Sequence, residues 1–139
     1  MREIEFRAWL NDQKQMVKVN CIMLKSKIVG IEKIDGVYIT KFLEDIELMQ
    51  YTGLKDKNGV KIFEGDIVNN GENENLIVLW SDYYQSFIIN EKIGVYAEQS
   101  DDRLYDCDDI EEYEPFEYKC GSYEVIGNFY ENPELLKEV

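Results

Sequence analysis

Leu48–Val68, LMQYTGLKDKNGVKIFEGDIV, is the stretch whose reading decides the fold. Leu48–Thr52 is apolar and aromatic, the composition of a strand packed on one face. Gly53 interrupts it, and Asp56-Lys57-Asn58-Gly59 follows. Asn-Gly is the strongest short-range hairpin signal, because both residues tolerate positive φ. Val60–Phe63 then returns as a short strand, Glu64-Gly65-Asp66 turns the chain, and Ile67-Val68 opens another strand.

Working downstream, Asn69–Asn75 (NNGENEN) reads as a polar hairpin loop, and Leu76–Trp80 and Tyr84–Ile89 as strands separated by Ser81-Asp82-Tyr83. Five short strands punctuated by Gly, Asn and Asp suggest a small antiparallel barrel rather than an open sheet. Tyr123–Tyr130 (YEVIGNFY) alternates again, with Tyr123, Val125 and Gly127 on one side. Asn132-Pro133 then predicts a short terminal helix, Asn132 as its cap and Pro133 at the first helical position. Working upstream, Ile4, Phe6 and Ala8 alternate with Glu3, Glu5 and Arg7, the period of a half-buried strand. Asn11-Asp12 turns it into a returning strand over Gln15–Ile22. Further extended runs are expected near Lys27–Ile31 and over Gly36–Thr40, and Lys41–Glu47 is either one helical turn or a bend.

The whole chain has 139 residues, enough for one domain or two very small ones and for a real core without a disulfide or metal. Its formal charge is −14, from 29 acids and 15 bases. Residues 1–69 are neutral, so the excess lies in residues 70–139. The run 98–117 alone holds ten acids against Arg103. A chain so charged is poorly suited to gripping phosphate backbones or anionic membranes, which need clustered Lys and Arg. The opening MREIEFRAW is too charged for a signal peptide, and no apolar run reaches the length of a membrane span. Cys21, Cys107 and Cys120 are odd in number and widely spaced, which favours reduced thiols and a cytoplasmic location.

Candidate chemistry is sparse. Asp101, Asp102, Asp106, Asp108 and Asp109 with Glu111 and Glu112 offer carboxylates for Mg²⁺ or Ca²⁺, yet the spacing does not match an EF-hand loop. A phosphodiester site would also want cations to hold phosphate, and the segment supplies only Arg103. There is no histidine, which removes Ser-His and Cys-His nucleophile pairs. No glycine-rich phosphate loop is present, since Gly53, Gly59 and Gly65 sit at turns with no Gly-Lys-Ser/Thr after them. Neither a catalytic residue nor a metal or cofactor ligand is therefore assigned, and no enzyme is expected. Most of the ten tyrosines lie in the acidic half. They read first as sheet packing, and more sharply as a protein–protein surface, where tyrosine is enriched.

Leu48–Val68 also resembles the signature segment of the YopX family of phage and prophage proteins. Arg2–Trp9 (REIEFRAW) and Tyr123–Leu136 (YEVIGNFYENPELL) are similar to that family's two ends. The resemblance implies an uncharacterised phage protein of mainly β class, a small SH3-type antiparallel β-barrel with extra N-terminal strands. It implies no catalytic residues. Residues 1–47 would form a β-rich segment packed on a barrel of residues 48–139, with 98–117 as an acidic insertion. In the signature, Gly53, Asn58-Gly59 and Gly65 serve as turns, and Tyr51, Ile62, Phe63, Ile67 and Val68 fill a core. The expected function is a non-enzymatic protein-binding module that self-associates in the cytoplasm of an infected or lysogenic bacterial host. Its expected contact residues are Asp101, Asp102, Tyr105, Asp106, Asp108, Asp109 and Tyr113. The alternatives are an acidic DNA mimic that occupies a host nucleic-acid-binding protein and, less favoured, a metal-dependent phosphodiesterase. Direct nucleic-acid binding through the neutral first half is not favoured.

Overall fold

Each strand expected from alternation is present in a computed structural model that describes residues 2–32, 35–71, 75–82, 85–90 and 122–136. The strands are β1 (Phe6–Leu10), β2 (Gln15–Met23), β3 (Ile28–Glu32), β4 (Tyr38–Phe42), β5 (Ile46–Lys55), β6 (Lys61–Phe63), β7 (Asp66–Asn69), β8 (Asn75–Ser81), β9 (Ser86–Asn90) and β10 (Glu124–Asn128). The ambiguous Lys41–Glu47 contains one turn of 3-10 helix, Leu43–Asp45.

The strands form two antiparallel sheets, one of six in the order β4-β3-β2-β1-β5-β6 and one of four in the order β10-β7-β8-β9. The chain divides into two compact units, Met1–Gly53 and Leu54–Val139. Among the described residues the expected closed barrel does not form: both sheets are open. The barrel expectation rested on strand number and turn spacing, which are the same for a rolled and an open sheet; closure depends on whether the edge strands pair. The expected C-terminal helix is also corrected. Pro133–Leu136 is a single 3-10 turn, and among the described residues there is no α-helix. Asn132 does not cap it through its side chain. Its Oδ1 accepts the backbone N–H of Asn128 instead (3.3 Å).

The first unit is a meander whose inner face is built by period two. Ala8 and Leu10 of β1, Val17 and Val19 of β2, Val29 and Ile31 of β3 and Ile46 of β5 form one core, with Phe6, Ile22, Ile39, Leu43 and Leu48 packed against it. The inward positions of β2 break their period between Val19 and Ile22. A bulge there explains the break: Val19 pairs with Ile31 but Cys21 pairs with Gly30, so Asn20 is the extra residue. An inserted residue reverses the phase of the strand. Ile22 is thereby turned inward, and Cys21 and Met23 outward.

The second unit has its own core of Ile62, Val68, Leu76, Val78 and Tyr123, with Leu54, Phe87, Ile89 and Val125 against it. Tyr51, Ile62, Ile67 and Val68 are buried as the signature implied, whereas Phe63 is only half-buried. β10 departs from simple alternation. Val125 pairs with Val68 but Gly127 pairs with Ile67, so a bulge at Ile126 puts Val125 and Gly127 on opposite faces. Gly127 cannot carry a side chain there: a Cβ would stand 2.6 Å from Asn132 Oδ1 and 3.0 Å from Leu135 Cδ1. Gly127→Ala is expected to cost about 1–3 kcal/mol, the range for overpacking. Denaturant titration checks it, and an unchanged midpoint would show that the Asn132 side chain moves aside freely.

Candidate protein-binding surface

The signature stretch spends its polar groups on the backbone. Asp56 is only 6% exposed. Its Oδ1 accepts the N–H groups of Asn58 (2.8 Å) and Val60 (2.9 Å), and its Oδ2 accepts that of Val125 on β10 (2.9 Å). Around it the Lys57 N–H donates to the Tyr123 carbonyl (3.0 Å), and Asn58 Nδ2 donates to Glu124 Oε1 (3.3 Å). The carboxylate thus closes the Asp56–Gly59 turn and ties it to a strand far along the chain. Gly59 ends the turn at φ +81°, while Asn58 does not take the positive φ that a turn centred on Asn-Gly would need; the turn spans Asp56–Gly59, its Gly59 N–H donating to the Asp56 carbonyl (3.0 Å). Asp66 acts similarly at the next corner, its Oδ2 accepting the Phe63 N–H (2.8 Å). Burial pushes the Asp56 carboxyl up, but the three N–H groups and the nearby Lys57 charge outweigh this and hold it below the ordinary 3.8. A carboxylate so engaged is held in its ionised form by the backbone. The signature is accounted for by folding.

The contact residues expected from the acidic run, Asp101, Asp102, Tyr105, Asp106, Asp108, Asp109 and Tyr113, lie outside the described residues, as do Cys107, Cys120, Tyr83 and Tyr84. Among the described residues no group of three or more Cys, Asp or Glu is placed to hold a metal ion. Nor is there, among them, a helix long and apolar enough to cross a membrane.

What the structure does bring together is an apolar outer face on the first unit. Because Val29 and Ile31 point inward, Ile28, Gly30 and Glu32 of β3 point outward, and the residues opposite them share that face. One cross-strand row runs Phe42–Ile28–Met23, each directly opposite the next. The following row is Thr40–Gly30–Cys21, where a Cβ on Gly30 would meet Cys21 Sγ at 2.6 Å. Tyr38, opposite Glu32, ends the face on β4. On this face Tyr38 is 70%, Phe42 55% and Met23 46% exposed, and Leu24 and Val37, just outside β2 and β4, are exposed as well. Lys41, on the other face of β4, is held by Asp12 at 2.8 Å, which lowers the Asp12 carboxyl.

The sequence placed Gly36–Thr40 in an extended run but did not mark it as a surface. The only local signal was that Tyr38, Thr40 and Phe42 alternate with Ile39, which says two faces exist and not which one is covered.

The YopX family profile, described as YopX protein, matches residues 5–137. Among solved structures the chain is similar to protein EF1440 from Enterococcus faecalis, with 26% sequence identity and a TM-score of 0.55. That likeness covers 99% of this chain and 100% of that one. No curated protein matches it.

Proposed function

The chain belongs to the YopX family, and on that premise we propose that it is a non-enzymatic module that binds protein and associates with itself in the cytoplasm of a bacterial host. The observation that carries this reading is the outer face of β2–β4, where Phe42, Ile28 and Met23 form one apolar row and Tyr38 and Phe42 are more than half exposed. Water contact with such side chains is unfavourable at roughly 25 cal/mol per Å², so covering the face by protein releases free energy. The second support is the character of the polar groups in the signature, where Asp56 and Asp66 bond backbone N–H groups. Light scattering on the purified chain across a concentration series is expected to give more than the monomer mass. A strict monomer, together with no partner recovered from infected-host extract, would sink the reading.

The run 98–117, with ten acids and one base, favours a second reading, an acidic mimic of a phosphate array that occupies a host nucleic-acid-binding protein. Binding of that kind weakens with salt. Replacing Asp101, Asp102, Asp106, Asp108 and Asp109 by Asn is expected to abolish it, and an unchanged affinity would remove the idea.

A further inference from the structure

We infer that the chain pairs with a second copy of itself through the free edge of β4, antiparallel about a two-fold axis at Thr40. This deepens the self-association reading and rests on it. β4 ends its sheet, and among the described residues no strand lies along its outer edge. The phase of that edge follows from the register. The Leu43 N–H donates to the Lys27 carbonyl at 2.9 Å, so Lys27 and Leu43 are a hydrogen-bonded pair of the β3–β4 ladder. Alternation then makes Val29–Lys41 and Ile31–Ile39 the next such pairs. The N–H and C=O groups of Tyr38, Thr40 and Phe42 therefore point away from β3, toward an edge that no strand among the described residues covers.

An edge of this kind recruits a strand unless it is protected by proline, a bulge or outward charge. β4 reads Tyr-Ile-Thr-Lys-Phe and contains no proline. Its pairing with β3 is regular throughout. Its one charge, Lys41, is on the opposite face and held by Asp12. The side chains that share the outward-edge residues are Tyr38, Thr40 and Phe42, aromatic at both ends with a β-branched residue between.

That pattern is self-complementary. With Thr40 opposite Thr40 of the second copy, each Tyr38 lies opposite a Phe42, and all three pairs exchange backbone hydrogen bonds. Aromatic cross-strand pairs add to the ladder. Each Phe42–Ile28–Met23 row then continues across the dyad into Tyr38 of the other copy, and the two junctions are equivalent, as an isologous interface requires.

Charge distribution favours a second copy as the occupant. Residues 1–53 contain eight acids and eight bases, so the unit that carries β4 is neutral and the whole −14 lies beyond it. Two copies meeting through this unit bring neutral surface against neutral surface, whereas contact through the rest of the chain would oppose like charges.

The test compares three full-length chains by sedimentation velocity, with circular dichroism confirming that each is folded. Wild type is expected to dimerise. Tyr38→Glu with Phe42→Glu places like charges opposite each other at both aromatic pairs, and should raise the dissociation constant about thirtyfold or more. Tyr38→Lys with Phe42→Glu places Lys opposite Glu in the same register and should restore the dimer. As a geometric check, Thr40→Cys in a Cys21→Ser, Cys107→Ser, Cys120→Ser background should cross-link under mild oxidant, because hydrogen-bonded antiparallel partners have Cα atoms about 5.5 Å apart. A dimer indifferent to the Glu pair would overturn this interface and leave self-association standing. Loss of the dimer in both double variants would overturn the antiparallel register. A wild-type monomer at every concentration would overturn self-association itself.

Discussion

Asp56→Ala is expected to lower the stability of the Leu54–Val139 unit by about 3 kcal/mol or more. Three backbone N–H groups, of Asn58, Val60 and Val125, lose their acceptor together. A buried donor left unpaired costs roughly 1–3 kcal/mol, and only those near the turn surface recover water as a partner. Asp56→Asn should lose less. Its remaining oxygen can still accept from Asn58 and Val60, but the amide then turns a donor toward the Val125 N–H. Urea titration checks both variants. Trp80 lies in this unit and Trp9 is the chain's other tryptophan, so a Trp9→Phe background isolates the relevant emission. A wild-type midpoint in Asp56→Ala would show that the carboxylate is not the tie between the turn and β10.

The same site carries a pH dependence. Asp56 is held below 3.8 when folded and returns to the ordinary carboxylate range when unfolded, so the unfolded chain binds the proton more readily. Its contribution is present in full above about pH 4–5 and is lost as pH falls through the depressed folded value. Acid titration of wild type should show that loss, and Asp56→Ala, already without the carboxylate, should show a shallower fall over the same range.

Leu10→Ala is the second large effect, expected at about 2–5 kcal/mol. Leu10 is fully buried and belongs to the core of the first unit, on a strand flanked by β2 and β5. Truncation removes its transfer free energy and leaves a cavity that neighbours pinned on both sides of β1 fill poorly. Trp9 is its chain neighbour and reports this unit in a Trp80→Phe background. The midpoint should fall with the slope in denaturant unchanged, since the surface exposed on unfolding is nearly the same. A loss below 1 kcal/mol would mean the core collapses around the smaller side chain.

Much of the architecture was legible because it is local. The alternation in Ile4–Ala8 and Gln15–Ile22 is a period-two pattern, and the pair forms antiparallel with Phe6 opposite Val19 and Leu10 opposite Gln15. Asn58-Gly59 turns where it should, because positive φ at Gly59 is a property of that residue and its neighbours. Less legible were the bulges at Asn20 and Ile126, each of which reverses a face without altering the composition of the strand. Of the surface, only the existence of a strand near Tyr38 was visible. That its outer edge is free depends on β3 being its one neighbour among the described residues.

The sequence by itself determined the strands, the order of the turns, the family and the location of the charge, since periodicity, backbone preference and composition are written residue by residue. The tertiary structure alone decided that, among the described residues, the sheets stay open and Tyr38 and Phe42 border an unpaired edge, and that Asp56 is a buried tie between a turn and a strand. Those outcomes depend on which distant segment lies alongside: Val125 beside Asp56, β3 but no further described strand beside β4. Contacts between residues remote in the chain set burial, and burial is what turns a carboxylate into a fastener or leaves an aromatic strand exposed.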